Sequence, residues 1–108
     1  MNQLVYVGLR GDNVTNDGIQ HLQGLINLTG LHLGETKVTD AGLTHLLHMT
    51  KLQRLWLDET AVSDKAIDTL GRLESLQELY VANSKITPDG VARLRSRLPR
   101  CRVVDKQP

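Results

Sequence analysis

The chain has 108 residues, a formal net charge of +1, 40% apolar residues, no Phe and only 3% aromatics. Its interior must therefore be layered from Leu, Val and Ile, within about the size of one domain. A near-neutral sum excludes a protein whose whole surface is a nucleic-acid or membrane footprint, and a lone Cys101 excludes an intrachain disulfide.

No apolar run approaches the roughly 18 residues of a membrane span. With one cysteine and no signal-peptide pattern at Met1-Asn2-Gln3, the sequence reads as a soluble, cytoplasmic chain. The charge is unevenly spread: residues 1–92 hold seven Lys or Arg against eleven Asp or Glu, whereas residues 93–108 hold six basic residues against Asp105.

From Leu4 onward the chain repeats itself every 24 residues. Leu4, Val7, Leu9, Val14, Gly18, Ile19, Leu22 and Leu25 are answered by Leu28, Leu31, Leu33, Val38, Gly42, Leu43, Leu46 and Met49, and two further rounds follow. Repeats run over 4–27, 28–51, 52–75 and 76–99, with a closing half-repeat at 100–108, and the whole chain is read as one domain. Such a fixed period marks a solenoid or related array.

Each repeat is expected to open with a short strand, because apolar residues alternate in Val7-Gly8-Leu9, Leu31-His32-Leu33, Leu55-Trp56-Leu57 and Leu79-Tyr80-Val81. Strands reached by identical paths should lie parallel and adjacent. The second half of each repeat predicts a short helix with an apolar stripe such as Leu43, Leu46 and Leu47. Thr15, Thr39, Ser63 and Thr87 stand where helix N-caps are expected. An acid follows each within two positions, at Asp17, Asp40, Asp64 and Asp89, complementing the helix dipole. Gly18, Gly42 and Gly90, with Ala66 as the exception, fall inside these helices, where glycine costs about 1 kcal/mol. That recurring choice predicts close packing of helix against neighbouring backbone.

The run Val38-Thr39-Asp40-Ala41-Gly42-Leu43, set behind Leu28-x-x-Leu31-x-Leu33 and recurring four times over residues 4–99, resembles the leucine-rich repeat. Its form is similar to the repeats of bacterial leucine-rich repeat proteins and F-box-type substrate adaptors. Many such repeats carry Asn at the ninth position, where this chain has Asp12, Thr36, Thr60 and Ser84. The resemblance implies a right-handed α/β superhelix, with a parallel concave sheet and convex short helices, and a role in binding proteins.

In a strand, the residues flanking the inward leucines point to the opposite face. These include Tyr6, Arg10, His32, Arg54, Trp56, Asp58, Glu78 and Tyr80. His32, Trp56 and Tyr80 should form one column about 4.8 Å apart from strand to strand. Aromatic side chains flanked by arginine and acid are the composition of a protein-binding hot spot, so a protein partner on this face is the expected function. The alternatives are a polyanion site on Arg93, Arg95, Arg97, Arg100 and Arg102, and a structural or capping fragment of a larger protein. No aromatic interleaves those arginines, so a single-strand stacking platform is missing.

No catalytic motif is present, and neither a cofactor nor a small-molecule substrate is expected. His21, His45 and His48 lack a Cys or fixed carboxylate to complete a zinc set. The first repeat has nothing in sequence to cover its apolar layer, so the chain is read as cut from something longer, or as self-associating through Leu4, Val5 and Val7.

Overall fold

The computed structural model describes residues 5–22, 24–25 and 27–106. Five strands, β1 (Tyr6–Gly8), β2 (Gly30–His32), β3 (Arg54–Trp56), β4 (Glu78–Tyr80) and β5 (Arg102–Val104), form one parallel sheet in sequence order. The register advances by one repeat per strand: Val7, Leu31, Leu55, Leu79 and Val103 are mutual partners, as are Gly8, His32, Trp56, Tyr80 and Val104. An unbroken repeat length is what keeps this register, since a one-residue slip would turn every leucine to the wrong face.

Behind the sheet, a ladder of Leu28, Leu52 and Leu76, Leu31, Leu55 and Leu79, and Leu33, Leu57 and Val81 is 0–3% exposed. Burying one leucine contributes roughly 1.5–3 kcal/mol. Truncating Leu55 to Ala would cost about 2–5 kcal/mol, because a layered core cannot collapse around the hole.

The chain turns out of each strand through a left-handed residue at the same offset: Gly11 (φ 74°), Glu35 (58°), Glu59 (57°) and Asn83 (58°). The ninth-position hydroxyls hold this turn. Thr36 Oγ1 donates to Leu33 O at 2.6 Å, Thr60 Oγ1 to Leu57 O at 2.7 Å and Ser84 Oγ to Val81 O at 2.7 Å.

The return segments differ more than the sequence predicts. They are α1 (Asn16–Gln20), a 3₁₀ helix over Asp40–His48, a 3₁₀ turn over Asp64–Ala66 running into α2 (Ile67–Leu70), and α3 (Pro88–Arg97). In a 3₁₀ helix residues i and i+3 eclipse, so Leu43 and Leu46 are fully buried while Leu47 turns partly outward.

Two of the four predicted caps form as such. Ser63 Oγ accepts from Lys65 N at 3.3 Å and Thr87 Oγ1 from Gly90 N at 3.1 Å, whereas the Thr15 and Thr39 side chains cap nothing. The helical glycines also pack differently from expectation. A methyl group on Gly42 would overlap the Asn16 side chain, and one on Gly90 the Asp64 side chain, so the close neighbour is the previous repeat's polar side chain and not its backbone.

Candidate functional site

On the outward face of the sheet the alternation of strand residues brings the predicted column together. The His32 and Trp56 rings stack with centroids 5.0 Å apart and planes at 5°, and Trp56 and Tyr80 stack at 5.1 Å and 2°. The in-register pairing of His32, Trp56 and Tyr80 sets this spacing. Tyr6 meets Trp56 edge-on at 5.9 Å and 87°. It can lean that far because Gly8 and Gly30 leave room beneath it: a methyl on either would stand 3.0 Å from the Tyr6 ring. Tyr6 is 57% exposed, the most open aromatic side chain of the face. Aromatic pairs of this kind contribute about 0.5–1.5 kcal/mol each beyond the area they bury.

Charge is arranged around the rings in short pairs. Glu78 receives both the Tyr80 hydroxyl, which donates to its Oε1, and Arg54, whose Nε lies 3.1 Å from its Oε2. Holding the phenol proton against that carboxylate raises the Tyr80 pKa. Arg10 pairs with Glu35 across the first and second repeats, which raises its pKa further. His32 Nδ1 accepts the Gly34 N–H at 3.1 Å, leaving its proton on Nε2, and burial lowers its pKa against the opposing pull of Asp58. Asp58 keeps its Oδ1 out of solvent with no hydrogen-bond partner among the described residues. An open cleft of about 350 Å³ runs between Arg10, Trp56, Asp58, Tyr80, Val104 and Lys106.

All eight concave-face residues expected from sequence, Tyr6, Arg10, His32, Arg54, Trp56, Asp58, Glu78 and Tyr80, thus lie on β1–β4 or one to two residues beyond them. Sequence reasoning missed Val104 and Glu35, and it counted Lys106 with the basic C-terminal cluster and not with this face. Shifting Tyr80 by one more period lands on Val104, so the signal was the repeat itself carried into the closing half-repeat.

The predicted arginines are carried on α3, on the connection that follows it and on β5. Arg93, Arg95 and Arg97 stand on α3, and Arg97 pairs with Asp68 at 2.6 Å. Arg95 donates to Val103 O at 3.0 Å and lies 3.5 Å from Asp105. Arg100 is in the connection to β5, and Arg102 on β5 is in register with Glu78 on the sheet face. Among the described residues no three His, Cys, Asp or Glu side chains converge as metal ligands, and no helix is long and apolar enough to cross a membrane. At the open edge of β1, Val5 and Val7 are half-buried; Leu4 lies outside the described residues.

No family model matches the chain, and no curated protein matches it by sequence. Solved structures do resemble it. A leucine-rich repeat protein of Leptospira interrogans superposes with a TM-score of 0.69 at 26% identity, over 93% of this chain and 25% of that one. An internalin of Listeria monocytogenes gives 0.52 at 25% identity, over 85% and 32%. The Mex67:Mtr2 subunits of Chaetomium give 0.70 at 15% identity, over 86% and 71%, a likeness of fold alone. The chain thus spans about a quarter to a third of the length of the two bacterial proteins it is similar to.

Proposed function

We propose that this leucine-rich repeat chain is a non-catalytic recognition module that holds a protein partner on the outward face of its sheet. The observation that carries this reading is the aromatic column of His32, Trp56 and Tyr80 with Tyr6 against it, presented on in-register strands. Rigid aromatic side chains offer large contact area at small conformational cost, and arginine and aromatic anchors dominate binding energy at interfaces.

Arg54, Glu78 and Arg10 surround the rings with already paired charge, which sets specificity more than strength. The buried Asp58 Oδ1 favours a partner that brings an N–H into the cleft, because an unmet acceptor shielded from water costs about 1–3 kcal/mol. A cysteine kept as a buried free thiol fits a reducing compartment such as the cytoplasm.

The test is affinity capture with three baits of verified folding: the native chain, Trp56→Ala/Tyr80→Ala, and a chain with Arg95, Arg97, Arg100 and Arg102 changed to Ser. A protein captured by the first and third but lost from the second supports the sheet-face reading. Capture that follows the arginines and disappears after nuclease treatment or added salt overturns it in favour of polyanion binding.

A further inference from the structure

The start of each return segment after the first is gripped by the repeat before it. Asn16 Oδ1 accepts the Thr39 N–H at 2.9 Å while its Nδ2 donates to Thr39 Oγ1 at 2.7 Å. Asp40 takes the Ser63 N–H at 2.7 Å and its hydroxyl at 2.6 Å, and Asp64 takes the Thr87 N–H at 2.9 Å and its hydroxyl at 2.6 Å. Each is a two-point clamp reaching back 23 residues, with a small residue, Gly42, Ala66 or Gly90, making room three positions after the clamped one.

The first repeat keeps the receiving half of this clamp and lacks its plug. Thr15 matches Thr39, Ser63 and Thr87, yet among the described residues neither its N–H nor its hydroxyl has a partner. Gly18 matches Gly42 and Gly90, but a methyl there would meet only Val14 of its own repeat, at 3.3 Å. The apolar layer above tells the same story: Val7, Leu9, Val14 and Leu22 are half-buried where Leu31, Leu33, Val38 and Leu46 are fully buried, and Leu25 is 43% exposed where Met49 is 1% exposed.

We infer that the β1 edge is a docking face for one further turn of the same solenoid, whose Asn or Asp clamps Thr15 over Gly18. A second copy stacked head to tail cannot supply the plug. The corresponding position of its last repeat is Pro88, which has no side-chain acceptor, and β5 already covers that end, with Val103 5% exposed. The inference is independent of the binding face proposed above.

It is tested by placing a copy of residues 28–51 directly before Leu4, so that the copied Asp40 falls 23 residues ahead of Thr15. Stability to urea is measured for this chain, for the copied Asp40→Ala, for Thr15→Ala, and for both together. The expected result is a marked gain in stability from the added turn, and a coupling of about fivefold or more in the unfolding constant between the copied Asp40 and Thr15. Interaction energies of that order are usual for directly bonded groups. In the 108-residue chain itself, Thr15→Ala should change the unfolding constant by less than about twofold, since its side chain bonds to nothing among the described residues. Additive effects, or an added turn that gives no stability, would overturn the inference. So would a dimer of the 108-residue chain in sedimentation that dissociates on Val7→Asp, for the edge would then belong to a second copy.

Discussion

Cys101 stands between α3 and β5, 8% exposed, and burial, with the Glu78 charge behind it, pushes its thiol up to about 11. At pH 8 such a thiol is about one-thousandth thiolate, against about a quarter for a free cysteine. Alkylation of the native chain at pH 8 should therefore run more than about a hundredfold slower than in urea. A rate near that of a free thiol in the folded chain would contradict the burial. The same single-residue view applies to Glu35 and Glu59, which adopt the left-handed conformation at φ 58° and 57°. An L-residue there costs roughly 1–2 kcal/mol, which the strand-end bonds of Glu35 N to Asp58 O at 3.0 Å and Glu59 N to Ala82 O at 2.8 Å help to offset.

Between elements, the clamp residue decides what the next helix start can do. An asparagine amide donates into the Thr39 hydroxyl, and Thr39 caps nothing; an aspartate takes the hydroxyl proton instead, leaving Thr87 free to accept from Gly90 N. The two bonds from Thr87 lower the Asp64 pKa. A carboxylate whose pKa is depressed on folding contributes stability that is complete above its unfolded value of about 3.9 and drains away as pH falls through the folded one. Asp64→Asn should consequently be less stable than the native chain at pH 7 in urea titration, and the gap should close as the pH drops below about 4. A gap unchanged from pH 7 to pH 3 would deny Asp64 this role. The strands and their register were legible in the sequence because an uninterrupted 24-residue period admits one alignment, and the aromatic column followed from strand alternation. The clamps were not, because a Thr followed by an acid reads locally as a helix cap, and only the structure shows Asn16, Asp40 and Asp64 reaching forward to the next repeat. Nor were the 3₁₀ segments, since Leu43, Leu46 and Leu47 suit either helix until packing chooses. The left-handed turn was half visible: Gly11 and Asn83 mark the offset, but Glu35 and Glu59 at the same place disguise it.

Across the whole molecule, stability should be graded along the solenoid axis. In a stacked array each repeat contacts only its neighbours, so its resistance to opening is its own stability plus that of its one or two interfaces. The middle repeats have two complete interfaces: Leu31, Leu33, Leu55 and Leu57 are fully buried. The first has one, with Val5, Val7 and Leu9 only partly covered and, among the described residues, the Thr15 clamp unmade. The last is closed by β5, which takes Val81 N–H on Val104 O at 2.9 Å and inserts Val103 beneath. Opening should therefore begin at β1. Amide hydrogen exchange should find the Leu9 N–H, bonded to His32 O at 2.9 Å, exchanging at least about tenfold faster than the geometrically equivalent Leu33 and Leu57 N–H groups, bonded to Trp56 O at 2.9 Å and Tyr80 O at 2.8 Å. The three bonds agree in length to within 0.1 Å and differ chiefly in how many layers must come apart to break them. Equal protection at all three would mean that the array opens in a single cooperative step. Protection that rises at Leu9 alone when a further turn is added would place the fraying at the uncovered edge.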